Sequence, residues 1–301
     1  MKWTKLGRIY KPRPLHPKLV THAANPLAVP LEGDSFAVFF SGRDDQNRSS
    51  VGRVDIDIAK RQVIAEYDQP VFVHGEPGTF YEAGVSIGSC YAVGDTRYVL
   101  FMGWQVPVGQ HWRGEIGRLR LADDLTMCLA DTTPFLGLTD DDPVSLSYPW
   151  VQRGADGFHM WYGSTLSWNA GNDEMIHVIK HAWSADGEVW QRSAGAAVPW
   201  HIGEAQAFSR PAVLKLGGSL HMWFSYRSGS GETYRIGHAV SEDGASWRSD
   251  PAGDLDVSHT GWDAGMVEYP FVFSHRNQIL MLYNGNGYGE SGFGLAVLEM
   301  P

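Results

Sequence analysis

Cysteine is almost missing from this chain. Cys90 and Cys128 are the only two, too few for a disulfide framework or a cysteine zinc site. Both are expected to behave as small buried hydrophobes. Long apolar runs are missing too: no stretch approaches the ~20 residues of a membrane helix. The opening residues, MKWTKLGRIYKPRP, lack the apolar core of a signal peptide. The expectation is a soluble, cytoplasmic protein with no membrane partner. Charge is sparse at 19%, and 24 basic against 34 acidic residues leave a formal charge of −10. The basic residues form no run, so the electrostatic footprint of a nucleic-acid binder is absent. No His/Asp/Glu cluster has metal-ligand spacing, so no cofactor is expected beyond a centrally bound water or cation. Extended 3.6-residue periodicity is lacking, which argues against a helical fold.

Aromatic residues are plentiful, with 12 Trp, 12 Tyr and 13 Phe. Strand-rich cores absorb most such rings, and their faces also stack on sugars. The chain repeats itself. Five segments begin alike: HAANPLAVP at 22, YEAGVSIGS at 81, LSYPWVQR at 146, FSRPAVLK at 208 and VEYPFVFS at 267. Pro26, Pro149, Pro211 and Pro270 share one place, and Gly84 is assigned to it in the second segment. The spacings are then 58, 65, 62 and 59 residues. Each start is followed by an aromatic strand and then a third strand. Two of the third strands run into Ser-x-Asp-Gly-x-x-Trp, at Ser184–Trp190 and Ser241–Trp247. Asp-Gly supplies a tight turn in which Gly takes φ > 0. Five meanders of about 60 residues, none able to bury both faces alone, predict an all-β, five-bladed β-propeller spanning 1–301 as one domain, with a flat solenoid as the alternative.

The spacing and these turns resemble the five-bladed propeller glycoside hydrolases and phosphorylases, a group that includes arabinanases, xylosidases, invertase-like enzymes and β-mannoside phosphorylases. The segment Gly42-Arg43-Asp44-Asp45-Gln46-Asn47-Arg48-Ser49-Ser50-Val51-Gly52 looks most like the mannoside phosphorylase branch. The C-terminal GWDAGMVEYPFVF and LYNGNGYGESGFGLAV are similar to uncharacterised propellers of bacterial polysaccharide or secondary-metabolite clusters. The resemblance implies a catalytic Asp at the start of the first blade. Here that strand reads Ala23-Ala24-Asn25-Pro26, without a carboxylate.

The first strand of each propeller blade lines the central channel. Two residues before the shared Pro/Gly stand Ala24, Glu82, Ser147, Ser209 and Glu268; one before it stand Asn25, Ala83, Tyr148, Arg210 and Tyr269. Glycoside cleavage needs two carboxyl groups across one bond. Glu82 and Glu268 are the expected pair, with Asp263 and Glu204 as loop carboxylates at the rim. Arg43, Arg210 and Arg227 suit a carboxylate or phosphate, with Asp44 beside Arg43. Asn25, Tyr148, Tyr269, Asn284 and Asn286 offer groups to sugar hydroxyls. Trp104 is the expected stacking platform, Trp168 a lesser one, and His22 the loop histidine nearest the first inner strand. His159 with His221, and His181 with His238, recur between blades, which points to packing.

Three functions fit these residues: cleavage or transfer of a glycosyl unit, non-hydrolytic chemistry on a sugar-derived metabolite, and glycan binding without catalysis. The expected partner is a sugar or glycan bound by a monomer, with phosphate or an anionic sugar group against the arginines.

Overall fold

The computed structural model describes residues 1–229, 231 and 233–299. Strands dominate, and no helix is long and apolar enough to cross a membrane among the described residues. Strand β1 (Lys2–Tyr10) comes first. Then follow β2 (Thr21–Pro30), β3 (Ser35–Arg43), β4 (Ser49–Asp57) and β5 (Gln62–Glu66), an antiparallel meander. The pattern recurs in β6 (Gly84–Val93), β7 (Thr96–Gln105), β8 (Arg113–Leu121) and β9 (Met127–Leu129). It recurs again in β10 (Ser145–Arg153), β11 (Phe158–Ser167), β12 (Ile176–Ser184) and β13 (Gln191–Arg192). The fourth unit is β14 (Ala207–Leu216), β15 (Ser219–Arg227), β16 (Arg235–Ser241) and β17 (Arg248–Ser249). The last contributes β18 (Glu268–His275), β19 (Gln278–Asn284) and β20 (Phe293–Glu299), and takes β1 as its fourth strand.

The inner strands β2, β6, β10, β14 and β18 pack each on the next, and β18 packs on β2. The ring is therefore closed, and its seam is locked by a strand from the opposite end of the chain. Closure removes the exposed sheet edges that a flat array would leave. Asp263 belongs to this seam: it is 2% exposed, pairs with Lys5 at 2.7 Å and accepts from the Tyr283 hydroxyl at 3.0 Å. An expected rim carboxylate thus braces the closing sheet instead.

Each inner strand carries a bulge. In four of them the residue before proline has positive φ: Asn25 at 55°, Tyr148 at 37°, Arg210 at 51° and Tyr269 at 52°. Such φ values are costly for non-glycine residues and persist only where the surroundings impose them. Here neighbouring blades do so. The Asn25 N–H donates to Asn284 Oδ1 at 2.9 Å, and the Tyr269 N–H to Ser225 Oγ at 2.8 Å. In the second unit it is the Ile87 N–H that donates to Ser41 Oγ, at 3.1 Å.

That last contact corrects the sequence alignment. Gly88, not Gly84, stands where the other units have proline. A Cβ on Gly88 would lie 2.5 Å from the Pro149 carbonyl oxygen, so the close approach of blades two and three needs glycine there. The residues in register are Ala24, Ser86, Ser147, Ser209 and Glu268, spaced 62, 61, 62 and 59 residues apart. Ser86, four residues after Glu82, is the true counterpart of Glu268.

Other side chains settle into packing roles. His159 meets His181 at 3.1 Å and His221 meets His238 at 3.0 Å, each pair against a buried Trp. Asp142 is wholly buried in blade three, where it accepts from Tyr162, Ser164, Lys180 and Arg192. Cys128, expected inside, is exposed on the short outer strand β9.

Candidate active site

A cavity of about 360 Å³ opens where the second strand of each blade turns into the third. Its floor is the inner ring: Ala24, Asn25, Ser86, Ser147, Tyr148, Ser209 and Tyr269. Its wall comes from second-strand ends and third-strand starts, including Arg43, Trp104, Trp112, His177, Arg227, Tyr234 and Tyr288.

Glu268 holds the fifth place in the floor ring. It is 0% exposed, and neither carboxyl oxygen has a hydrogen-bond partner among the described residues. Burial pushes its pKa well above the ordinary carboxyl value; Arg43 and then Arg227 pull the other way without cancelling the effect. Tyr148, Tyr234 and Tyr269 all sense its charge, and all three line the cavity. The Tyr148 and Tyr269 hydroxyls meet at 3.3 Å. An unsatisfied buried carboxyl is rare and calls for a functional account.

Arg43 ends β3, and the loop after it is folded by Asp44. The Asp44 carboxylate accepts the N–H groups of Gln46 and Arg48 and pairs with the Arg48 guanidinium at 2.8 Å. Burial opposes its ionisation, but these bonds outweigh burial and hold its pKa below the ordinary value. Asp44 is thereby a support that aims Arg43 and Asn47, not a cavity-lining group. Arg43 donates to Asn47 Oδ1 at 2.8 Å and pairs with no carboxylate among the described residues. Arg227, by contrast, is held by Glu174 through contacts of 2.5 and 2.8 Å. His22 adjoins Arg43; burial first, and Arg43 second, pull its pKa to about 4, so it is neutral at pH 7.

The remaining candidates divide. Asn25, Trp104, Tyr148 and Tyr269 line the cavity, and Trp104 Nε1 donates to Ser49 Oγ at 3.1 Å. Glu82 does not: it sits in the loop before β6, where its Oε2 accepts the Gly78 N–H at 2.5 Å. The expected Glu82–Glu268 pair is therefore not assembled. Arg210 is buried on the axis, donating to the carbonyls of Ile87 and Pro26, and burial lowers its pKa to about 9. Its guanidinium ties blade four to blades one and two. Asn284 is spent on the Asn25 N–H and on the carbonyls of Ala23 and Gly292. Asn286 accepts from the N–H groups of Gly265 and Met266. Glu204 lies in a separate surface recess beside Asp254.

Sequence reasoning missed Trp112 and His177. His177 is the second residue of β12 and Tyr234 directly precedes β16, and the third-strand alignment places these two at one position. His177 is buried and its pKa falls to about 3, so it is a neutral ring. Its Nε2 meets Ser147 Oγ and its Nδ1 meets Thr165 Oγ1, both at 2.7 Å. A Cβ on Gly163 would collide with both Ser147 Oγ and His177 Nε2. Gly163→Ala is expected to break this pair and to cost about 1–3 kcal/mol by overpacking, measurable as a lower midpoint in urea unfolding.

No protein-family model matches the sequence. The chain is 43% identical, over 99% of its own length and 100% of the other, to Uncharacterized protein Rv1502 of Mycobacterium tuberculosis strain H37Rv. It is equally similar to the corresponding uncharacterised protein of strain CDC 1551. Among solved structures, a complex of BT0996 with RGII superposes with a TM-score of 0.76 at 16% identity, covering 99% of this protein and 91% of that one. A GH130 structure is similar at a TM-score of 0.70 and 9% identity, covering 99% and 94%. It is described under the statement that this family of mannoside phosphorylases contains glycoside hydrolases that target β-1,2 mannosidic linkages in Candida mannan. The endo-arabinase of Bacteroides thetaiotaomicron matches at 0.66 and 12%, covering 93% and 95%. These likenesses establish a fold shared with propeller glycoside hydrolases and phosphorylases.

Proposed function

This chain belongs to one family with the two Mycobacterium tuberculosis proteins, and from the fold it shares with propeller glycoside hydrolases and phosphorylases we propose that it is a carbohydrate-active enzyme that cleaves a glycosidic bond by phosphorolysis in the central cavity. The observation that supports the reading is the buried, unpartnered carboxyl of Glu268, its pKa raised by burial, beside two arginines, one of them free of carboxylate partners among the described residues. Hydrolysis in either standard geometry uses a second carboxyl at about 5–5.5 or 6.5–9.5 Å. Among the described residues, Glu82 is turned away and Glu174 is committed to Arg227. Phosphorolysis asks for one acid and a cationic seat for the nucleophile.

In the step proposed, an oxygen of inorganic phosphate held at Arg43 attacks the anomeric carbon. The bond from that carbon to the leaving oxygen breaks, and the leaving oxygen takes the Glu268 proton. The products are a sugar 1-phosphate and a shortened saccharide; a solvent proton restores the acid. Glu268 is enclosed while its tyrosine neighbours face the cavity. The proton therefore passes either after a tyrosine rotates or through a tyrosine hydroxyl.

The test incubates the protein with a panel of disaccharides, with and without inorganic phosphate. Sugar 1-phosphate formed only with phosphate is the expected result. Free reducing sugar formed equally well without phosphate would replace phosphorolysis by hydrolysis. Arg43→Met is expected to raise the KM for phosphate by about tenfold or more, since a charge-assisted contact of roughly 1.5–3 kcal/mol is lost.

A further inference from the structure

The cavity mouth is built from five equivalent loops, and they are unlike one another. Blades one and four bring Arg43 and Arg227 there, and blade five supplies Tyr288. Blades two and three bring aromatic rings instead. Trp112 lines the cavity at the end of the blade-two loop. Trp168, from the blade-three loop, meets it edge-on with ring centroids 4.8 Å apart and planes at 74°. His111 stacks on Trp168 at 4.8 Å and 22°. Trp112 in turn lies 6.2 Å from His177 at the cavity wall. The rings thus form an unbroken path from the cavity wall to solvent, ending at the exposed His111.

The blade-two loop and the end of β11 expose more apolar surface. Val106 is 56% exposed, Val108 100% and Leu166 43%. One exposed aliphatic residue means nothing, but joined aromatic rings that run from a cavity wall to solvent mark a binding surface. Core packing accounts for none of it, because these groups face water.

We infer that the Trp112–Trp168 shelf is a second subsite, which holds a further sugar ring of the ligand whose reacting unit sits in the cavity. A pyranose presents a face of C–H bonds and a rim of hydroxyls. The face suits an aromatic platform, and the rim stays in water at an exposed mouth. The shelf is continuous with the cavity, so its occupant is the next unit of the same saccharide. The substrate class is then an oligosaccharide of at least two rings, oriented with one end toward the arginines and the other across blades two and three. This inference rests on the cavity being a saccharide site.

The test measures binding by the intact protein to mono-, di- and trisaccharides of mannose, glucose, galactose and xylose, by calorimetry and tryptophan fluorescence. In at least one series the disaccharide is expected to bind about tenfold tighter than the monosaccharide, a gain of about 1.4 kcal/mol. Trp168→Ala is expected to erase that gain and leave the monosaccharide affinity unchanged. Trp168→Phe, which keeps a flat ring and serves if the alanine variant misfolds, is expected to retain part of it. A panel in which no disaccharide outbinds its monosaccharide, including one in which nothing binds, overturns the inference; so does a Trp168→Ala protein with the gain intact. Glu268→Gln separates this result from the proposed reaction. If that variant loses turnover but shows no chain-length gain, only the shelf fails. If it keeps turnover while the gain depends on Trp168, only the reaction fails.

Discussion

Glu268→Gln is expected to lose turnover by about 10²–10⁴-fold while folding normally, the usual contribution of a positioned general acid. Glutamine keeps the shape and removes the proton that the leaving oxygen must receive. The same change is expected to stabilise the protein at neutral pH. Below about pH 4.5, glutamate is protonated in both the folded and the unfolded chain, and the two proteins should be alike. As the pH rises, the unfolded chain releases its proton while the folded one, with its raised pKa, keeps it. Wild-type stability then falls by about 1.4 kcal/mol per pH unit until the folded pKa is passed. The variant has no such dependence, so its advantage opens above pH 4.5 and widens toward neutrality. Thermal unfolding at pH 4 and pH 7.5 measures this. An equal gap at both values would mean that Glu268 is not held protonated, and full turnover in the variant would remove it from the reaction.

Asp142→Ala is expected to be the most destabilising single change, at about 3–5 kcal/mol. Lys180 and Arg192 reach the buried Asp142 carboxylate at 2.8 and 2.6 Å, and the Tyr162 and Ser164 hydroxyls donate to it at 2.9 and 2.6 Å. Burial alone would raise its pKa, but the bonds from Lys180, Ser164 and Arg192 outweigh burial and hold it low. Removing the carboxylate leaves the Lys180 ammonium, 6% exposed, without its counter-ion. Since the folded pKa is depressed, this stabilisation is present above the ordinary Asp value near 3.8 and is lost as the pH falls through the folded value. Urea unfolding at pH 7 and pH 3 should show a large difference between variant and wild type at the first and a smaller one at the second. A difference below 1 kcal/mol at pH 7 would mean that the network contributes little.

Much of the candidate site was legible because a repeat allows comparison. Residues that differ at one repeated place stand out, as Glu268, Tyr148 and Tyr269 do, and Arg43 and Arg227 stand out as basic groups at second-strand ends. Glu82 failed for the same reason that Glu268 succeeded: one unit was aligned four residues out of step. Gly84 resembles the prolines as a chain breaker, but the bulge needs a residue that tolerates the Pro149 carbonyl at close range, and that is Gly88. The even spacing obtained with Ser86 was the available signal.

Sequence alone determined the all-β repeat and the short list of charged residues placed by it on inner strands, second-strand ends and entry loops, because each is a local pattern with a period. The tertiary structure decided which of those charges face the cavity. Asp263 went to Lys5 across 258 positions and Arg210 to Ile87 across 123. Pairings over such separations depend on ring closure, which juxtaposes the two ends of the chain and leaves no local trace. Closure also left Glu268 without a partner, a property of its surroundings and not of the residue.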